Sequence, residues 1–113
     1  MVTRALAEAT EALHPVPFDW LGDRLSVLWT VFMASRTKVD PEALGMWLAE
    51  HLRLLGHLPH DIVALAIDRA VQTAPHGFIP SVGEICTIGD PMLAERRHLA
   101  ERLALVAAAR NQP

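Results

Sequence analysis

Residues 41 to 85, PEALGMWLAEHLRLLGHLPHDIVALAIDRAVQTAPHGFIPSVGEI, allow little besides helix packed on helix. Two amphipathic runs of helix length are joined by a short proline turn. Asp40-Pro41-Glu42 is a compact helix start, with Asp as cap, Pro at the first helical position and Glu near the positive end of the dipole. Leu44, Trp47, Leu48, Leu52 and Leu55 then recur at helical spacing. Gly56 stands where a left-handed helix terminus wants glycine. Gly45, inside the run, costs about 1 kcal/mol relative to Ala, and a close helix crossing there would explain it. Pro59-His60-Asp61 opens the next helix. Its stripe of Val63, Ala66, Ile67, Ala70, Val71 and Ala74, widened by Ile62 and Leu65, predicts the most buried helix of the fold. Pro75 and Gly77 end it. Phe78 is expected to plug the core, and Ser81-x-x-Glu84 forms a capping box for a further helix.

The flanks extend the same pattern. Residues 3 to 13 favour helix, but their apolar face is mostly Ala. Residues 1–18 therefore read as a short N-terminal helix or a flexible arm, broken by His14-Pro15-Val16-Pro17. Asp19 is placed to cap a helix reaching about Ser35, with Leu21, Leu25, Leu28 and Phe32 on one face. Trp20, Trp29 and Val31 lie off that stripe, either widening the buried face or forming an exposed patch. Arg36-Thr37-Lys38 reads as a connection. Gly89-Asp90-Pro91 predicts that the helix begun at Ser81 is short and that a new one runs over residues 91–110. There Met92, Leu99, Leu103 and Val106 approach heptad spacing. No strand-like alternation occurs. The expectation is all-α: a compact bundle of four to five helices, residues 19–113 forming one domain with a longer C-terminal helix.

Composition narrows the function. At 113 residues and 51% hydrophobic, the chain can build one core. Its formal net charge of -3 disfavours a general nucleic-acid coat, which relies on excess Lys and Arg. Cys86 is the single cysteine, so no internal disulfide forms and a reducing cytoplasm is the simplest compartment. Neither a signal peptide nor a run long enough to cross a bilayer is evident.

Candidate chemistry is sparse. His51, His57 and His60 gather near one turn, but His57-x-x-His60 straddles a proline instead of sharing a helix face, and the three read as solvated turn histidines, not zinc ligands. Cys86 lacks a Cys-x-x-Cys partner or glycine elbow and reads as a small buried apolar residue. The glycines are scattered, with no phosphate loop. No catalytic residue, cofactor site or metal site is expected. Arg96, Arg97 and Arg102 form the densest positive region, interleaved with Glu95 and Glu101. They read as a solvated face or as a contact for an acidic partner.

The set Trp47, Leu48, Leu58, Pro59, Val63, Ala66, Ile67, Phe78, Pro80, Ser81, Glu84 and Ile85 resembles small phage-encoded helicase loader and inhibitor proteins. The resemblance covers about residues 20–86. It implies a non-enzymatic helical scaffold that binds a hexameric replicative DNA helicase. Beside that partner the expectation leaves room for weak or indirect DNA contact and for a homo-oligomer, and includes no membrane. In that family a flexible C-terminal segment engages the helicase, whereas residues 91–110 here read as ordered helix. The last helix is therefore the expected binding surface, through Arg96, Arg97, Leu99, Arg102, Leu103 and Val106. A second reading is a phage-type DNA-binding or packaging module, similar to a small terminase, in which the last helix drives oligomerisation and the arginines touch phosphate.

Overall fold

The computed structural model describes residues 1–33, 40–75 and 78–111. It is all-α: α1 (Val2–Glu11), α2 (Phe18–Met33), α3 (Pro41–Leu55), α4 (His60–Thr73) and α5 (Val82–Arg110). The expected connection at Arg36-Thr37-Lys38 and the terminator Gly77 lie outside the described residues.

α4 carries the most deeply buried face of the bundle, and α5 packs on α4, α1 and α3. Ile62, Val63, Ala66, Ile67 and Ala70 are all buried on α4, and Leu58 just before it is fully buried. Each large aliphatic side chain so enclosed contributes about 1.5–3 kcal/mol. Leu21, Leu25 and Leu28 of α2, Leu55 of α3 and Ile85 and Leu93 of α5 complete the core. Arg24 of α2 reaches Asp68 of α4 at 3.2 Å. The linker before α2 is drawn onto the α3–α4 turn, where Val16 N–H donates to the Leu58 carbonyl at 2.8 Å.

The helix starts follow the local chemistry. Asp40 accepts from the Glu42 amide at 3.0 Å, and Ser81 Oγ accepts from the Glu84 amide at 3.1 Å. Asp19, expected as a cap, instead lies in the first turn of α2, which begins at Phe18, and its carboxylate suits the positive dipole end there.

Several expectations are corrected. Gly56 is right-handed (φ -64°), not left-handed. A Cβ there would stand 2.8 Å from the Leu52 carbonyl oxygen, so close approach, not backbone handedness, favours glycine. Gly45 is exposed and faces open space. The close crossing occurs at Gly89, whose absent Cβ would meet Leu58 Cδ1 at 3.0 Å, where α5 crosses α4. Phe78 is 63% exposed and plugs nothing; Pro80 and Ile85 fill that part of the core.

The last helix begins at Val82, nine residues before Pro91, and carries Pro91 within it. Gly89-Asp90-Pro91 does not divide it, because Gly89 and Leu93 are anchored on the core on either side. Pro91 still withholds an amide from the Thr87 carbonyl, a cost of about 3 kcal/mol in an ordinary helix interior. At 29 residues, α5 is about 44 Å long. Its C-terminal half runs beyond the core with α1 packed along it, and the molecule measures 69 × 25 × 17 Å.

Candidate partner-binding surface

The half of α5 beyond Leu93 and the whole of α1 form a two-helix arm. α1 lays Val2, Ala5, Leu6 and Ala9, all half-buried, along α5, and none of its residues is buried. On α5 the matching residues are Ala100, which is buried, and Leu103 and Ala107, which are half-buried. The buried face of α5 thus runs through Ile85, Gly89, Leu93 and Ala100, offset from the expected stripe of Met92, Leu99, Leu103 and Val106. The offset has a packing cause: α1 covers the side of α5 that carries Ala100 and Leu103, leaving Leu99 and Val106 at an open edge, 45% and 47% exposed.

Arg96 clasps the arm to the core. Its guanidinium forks onto both carboxylate oxygens of Asp61 at the start of α4, with Nη1 at 2.8 Å from Oδ1 and Nη2 on Oδ2. The same Nη1 donates to the Ala12 carbonyl at the end of α1, at 3.0 Å. The Arg96 hydrogen bonds hold the Asp61 carboxyl below the usual carboxylate range, and Asp61 raises Arg96 in turn. Of the six residues expected at the partner surface, Arg96 is thus spent within the chain and Leu103 faces α1. Arg97, Leu99, Arg102 and Val106 remain exposed. Beside Leu99, a cleft of about 300 Å³ opens over Ala9, Ala12, Asp61 and Arg96. Nothing local in the sequence signals that Asp61 and Arg96, 35 positions apart, would meet.

The tryptophans are mostly occupied. Trp29 is buried and tilted against Trp47 at 5.2 Å, and Trp47 stacks on His51 at 3.9 Å. Trp20 leans on His60 at 4.1 Å. Val31, by contrast, is 68% exposed and joins Val27 as an apolar pair on the outside of α2.

The histidines do not converge. His57 Nε2 pairs with Asp90 Oδ1 at 3.1 Å, and His60 lies on Trp20. His51 is not a solvated turn residue but is buried in α3. Its Nδ1–H donates to the Trp47 carbonyl at 2.8 Å, while Nε2 has no hydrogen-bond partner among the described residues. Burial pushes its pKa below the ordinary imidazole value, so the ring is neutral at pH 7. No group of three or more His, Cys, Asp or Glu able to hold a metal ion occurs among the described residues. Cys86 is half-buried near the Leu54 carbonyl, and burial, aided by Asp90, pushes its thiol up, opposite to the shift of an activated nucleophile. No helix among the described residues is long and apolar enough to cross a membrane.

No protein-family model matches this chain, and comparison with curated proteins and with solved structures returned no match.

Proposed function

We propose that this chain is a non-enzymatic helical adaptor that binds a hexameric replicative DNA helicase and loads it or holds it inactive. One observation carries the choice of surface: Leu99 and Val106 stand exposed one heptad apart on the edge of α5, next to an apolar cleft with a charged floor. Apolar anchors beside a cleft and rimmed by arginine are what a protein partner buries. Arg102 is exposed on the same edge as Leu99 and Val106, whereas Arg97 lies on the opposite side of the helix. The helicase as partner rests on the resemblance of residues 20–86. Most of those residues pack as core, cap or turn, which supports a scaffold role for them; Phe78, exposed, is the exception. The small-terminase reading draws less support, because Arg96 is paired with Asp61 and the other two arginines lie among Glu95 and Glu101.

The test uses purified hexameric helicase with the full chain. Binding and a changed ATPase or unwinding rate are expected. Leu99→Asp with Val106→Asp should abolish binding while leaving helicity unchanged, since both side chains are exposed. Helicase binding that survives the double change would overturn this surface, and no binding by the unaltered chain would overturn the function.

A further inference from the structure

The arm is an incomplete bundle. α1 has ten residues and buries none, and α5 buries none beyond Ala100. Two helices can bury only a line of contact, and a helix this short is marginal in water without tertiary packing. The chain as a whole is also more exposed than a compact monomer of its mass. A globular monomer of 12.4 kDa exposes about 6,100 Å². This chain exposes 7639 Å². The excess, roughly 1,500 Å², is about twice the ~800 Å² that each partner gives up in a standard interface.

The open edge of α5 also matches itself. Glu95, Leu99, Arg102, Val106 and Arg110 are all exposed. At 3.6 residues per turn they fall within an arc of about 80°. Read from either end, this face presents a charged residue, then an apolar one, around a central Arg102, and the two end charges are opposite in sign. Setting α5 antiparallel to a second α5, with Leu99 opposite Val106 of the second copy, places Glu95 opposite Arg110 of the second copy. The two-fold axis repeats both pairs. Arg102 lies at the centre on the flank, where its stem covers the apolar seam and its head reaches water.

We propose that the free protein is a two-fold homodimer whose α5 arms pack antiparallel, with paired Leu99–Val106 contacts closed by paired Glu95–Arg110 contacts. Such an isologous interface needs no second surface on the molecule. It uses the residues assigned above to the helicase, so dimer and helicase complex exclude one another. The dimer itself is measured on the isolated chain and does not depend on the helicase reading.

Sedimentation equilibrium of the full chain should give twice 12.4 kDa at micromolar concentration. Val106→Asp should shift it to monomer with unchanged helicity. Glu95→Arg and Arg110→Glu should each weaken the dimer about tenfold, as reversal turns two attractive surface pairs repulsive. The double variant Glu95→Arg with Arg110→Glu should restore it. A monomer at every concentration overturns the proposal and leaves the face to a different protein. A dimer indifferent to Val106→Asp, or one not restored by the double reversal, overturns the antiparallel pairing.

Discussion

Arg96 grips both carboxylate oxygens of Asp61 and with the same Nη1 holds the carbonyl of Ala12, so one side chain fastens α5 to the start of α4 and the end of α1. A planar guanidinium suits this geometry because its donors are fixed in a fork. An ammonium cannot serve both acceptors in the same way. Arg96→Lys should destabilise the fold by about 1 kcal/mol, a partly exposed charge-assisted contact being screened by water. Urea unfolding measures the loss. Amide exchange should show the larger local effect in α1, which has no buried residue to hold it otherwise.

Acid should weaken the fold in two separate windows. His51 has a folded pKa below its ordinary 6.5, so the unfolded chain takes up the proton first. Stability is therefore full above about pH 6.5 and falls as pH drops from there toward the folded value. The physical cost is a buried imidazolium whose Nε2–H would have no acceptor. His51→Phe, which can keep the stack on Trp47, should flatten this window. Asp61 acts lower: its folded pKa lies below 3.8, so its contribution is present above 3.8 and lost as pH falls through the folded value. Asp61→Asn should flatten that second window alone. Unfolding midpoints from pH 8 to pH 3 separate the two.

Two glycines on helices should respond oppositely to substitution. Gly45 faces open space in the exposed part of α3, so Gly45→Ala should stabilise by about 0.5–1 kcal/mol through reduced backbone entropy. Gly89 lies 3.0 Å, at its absent Cβ, from Leu58 Cδ1. Gly89→Leu should separate α5 from α4 and cost about 1–3 kcal/mol by overpacking. Thermal unfolding of the two variants beside the unaltered chain checks both signs.

Pro91 is an exposed proline within a continuous helix. Pro91→Ala gives the Thr87 carbonyl a donor and should stabilise by about 1–3 kcal/mol. A rise in the unfolding midpoint with unchanged α1 exchange is the expected result. A fall would show that the shape Pro91 imposes on α5 is needed to bring Arg96 onto Asp61.

Much of the scaffold is legible along the chain because its causes are local. Asp40 and Ser81 cap helices through amides two and three residues away. The stripe from Val63 to Ala70 is legible because a 3.6-residue period puts those side chains on one apolar face, which the bundle then buries. Gly89-Asp90-Pro91 misleads for the converse reason. Its local preference to stop a helix is real, but Gly89 and Leu93 are held on the core from both sides, and that packing outweighs the missing hydrogen bond.

At the arm the division is sharper. Helical periodicity alone is enough to put Leu99, Val106, Arg97 and Arg102 on the last helix. Periodicity says which residues share a face, but not which face a neighbouring helix will cover. Tertiary packing lays α1 over Ala100 and Leu103, leaves Leu99 and Val106 open and engages Arg96 with Asp61. Those outcomes rest on contacts between segments far apart in the chain, 35 positions for Asp61 and Arg96 and 84 for Ala12 and Arg96. Pairings at such separations are chosen by the sum of core burial around α4, and no local spacing encodes them.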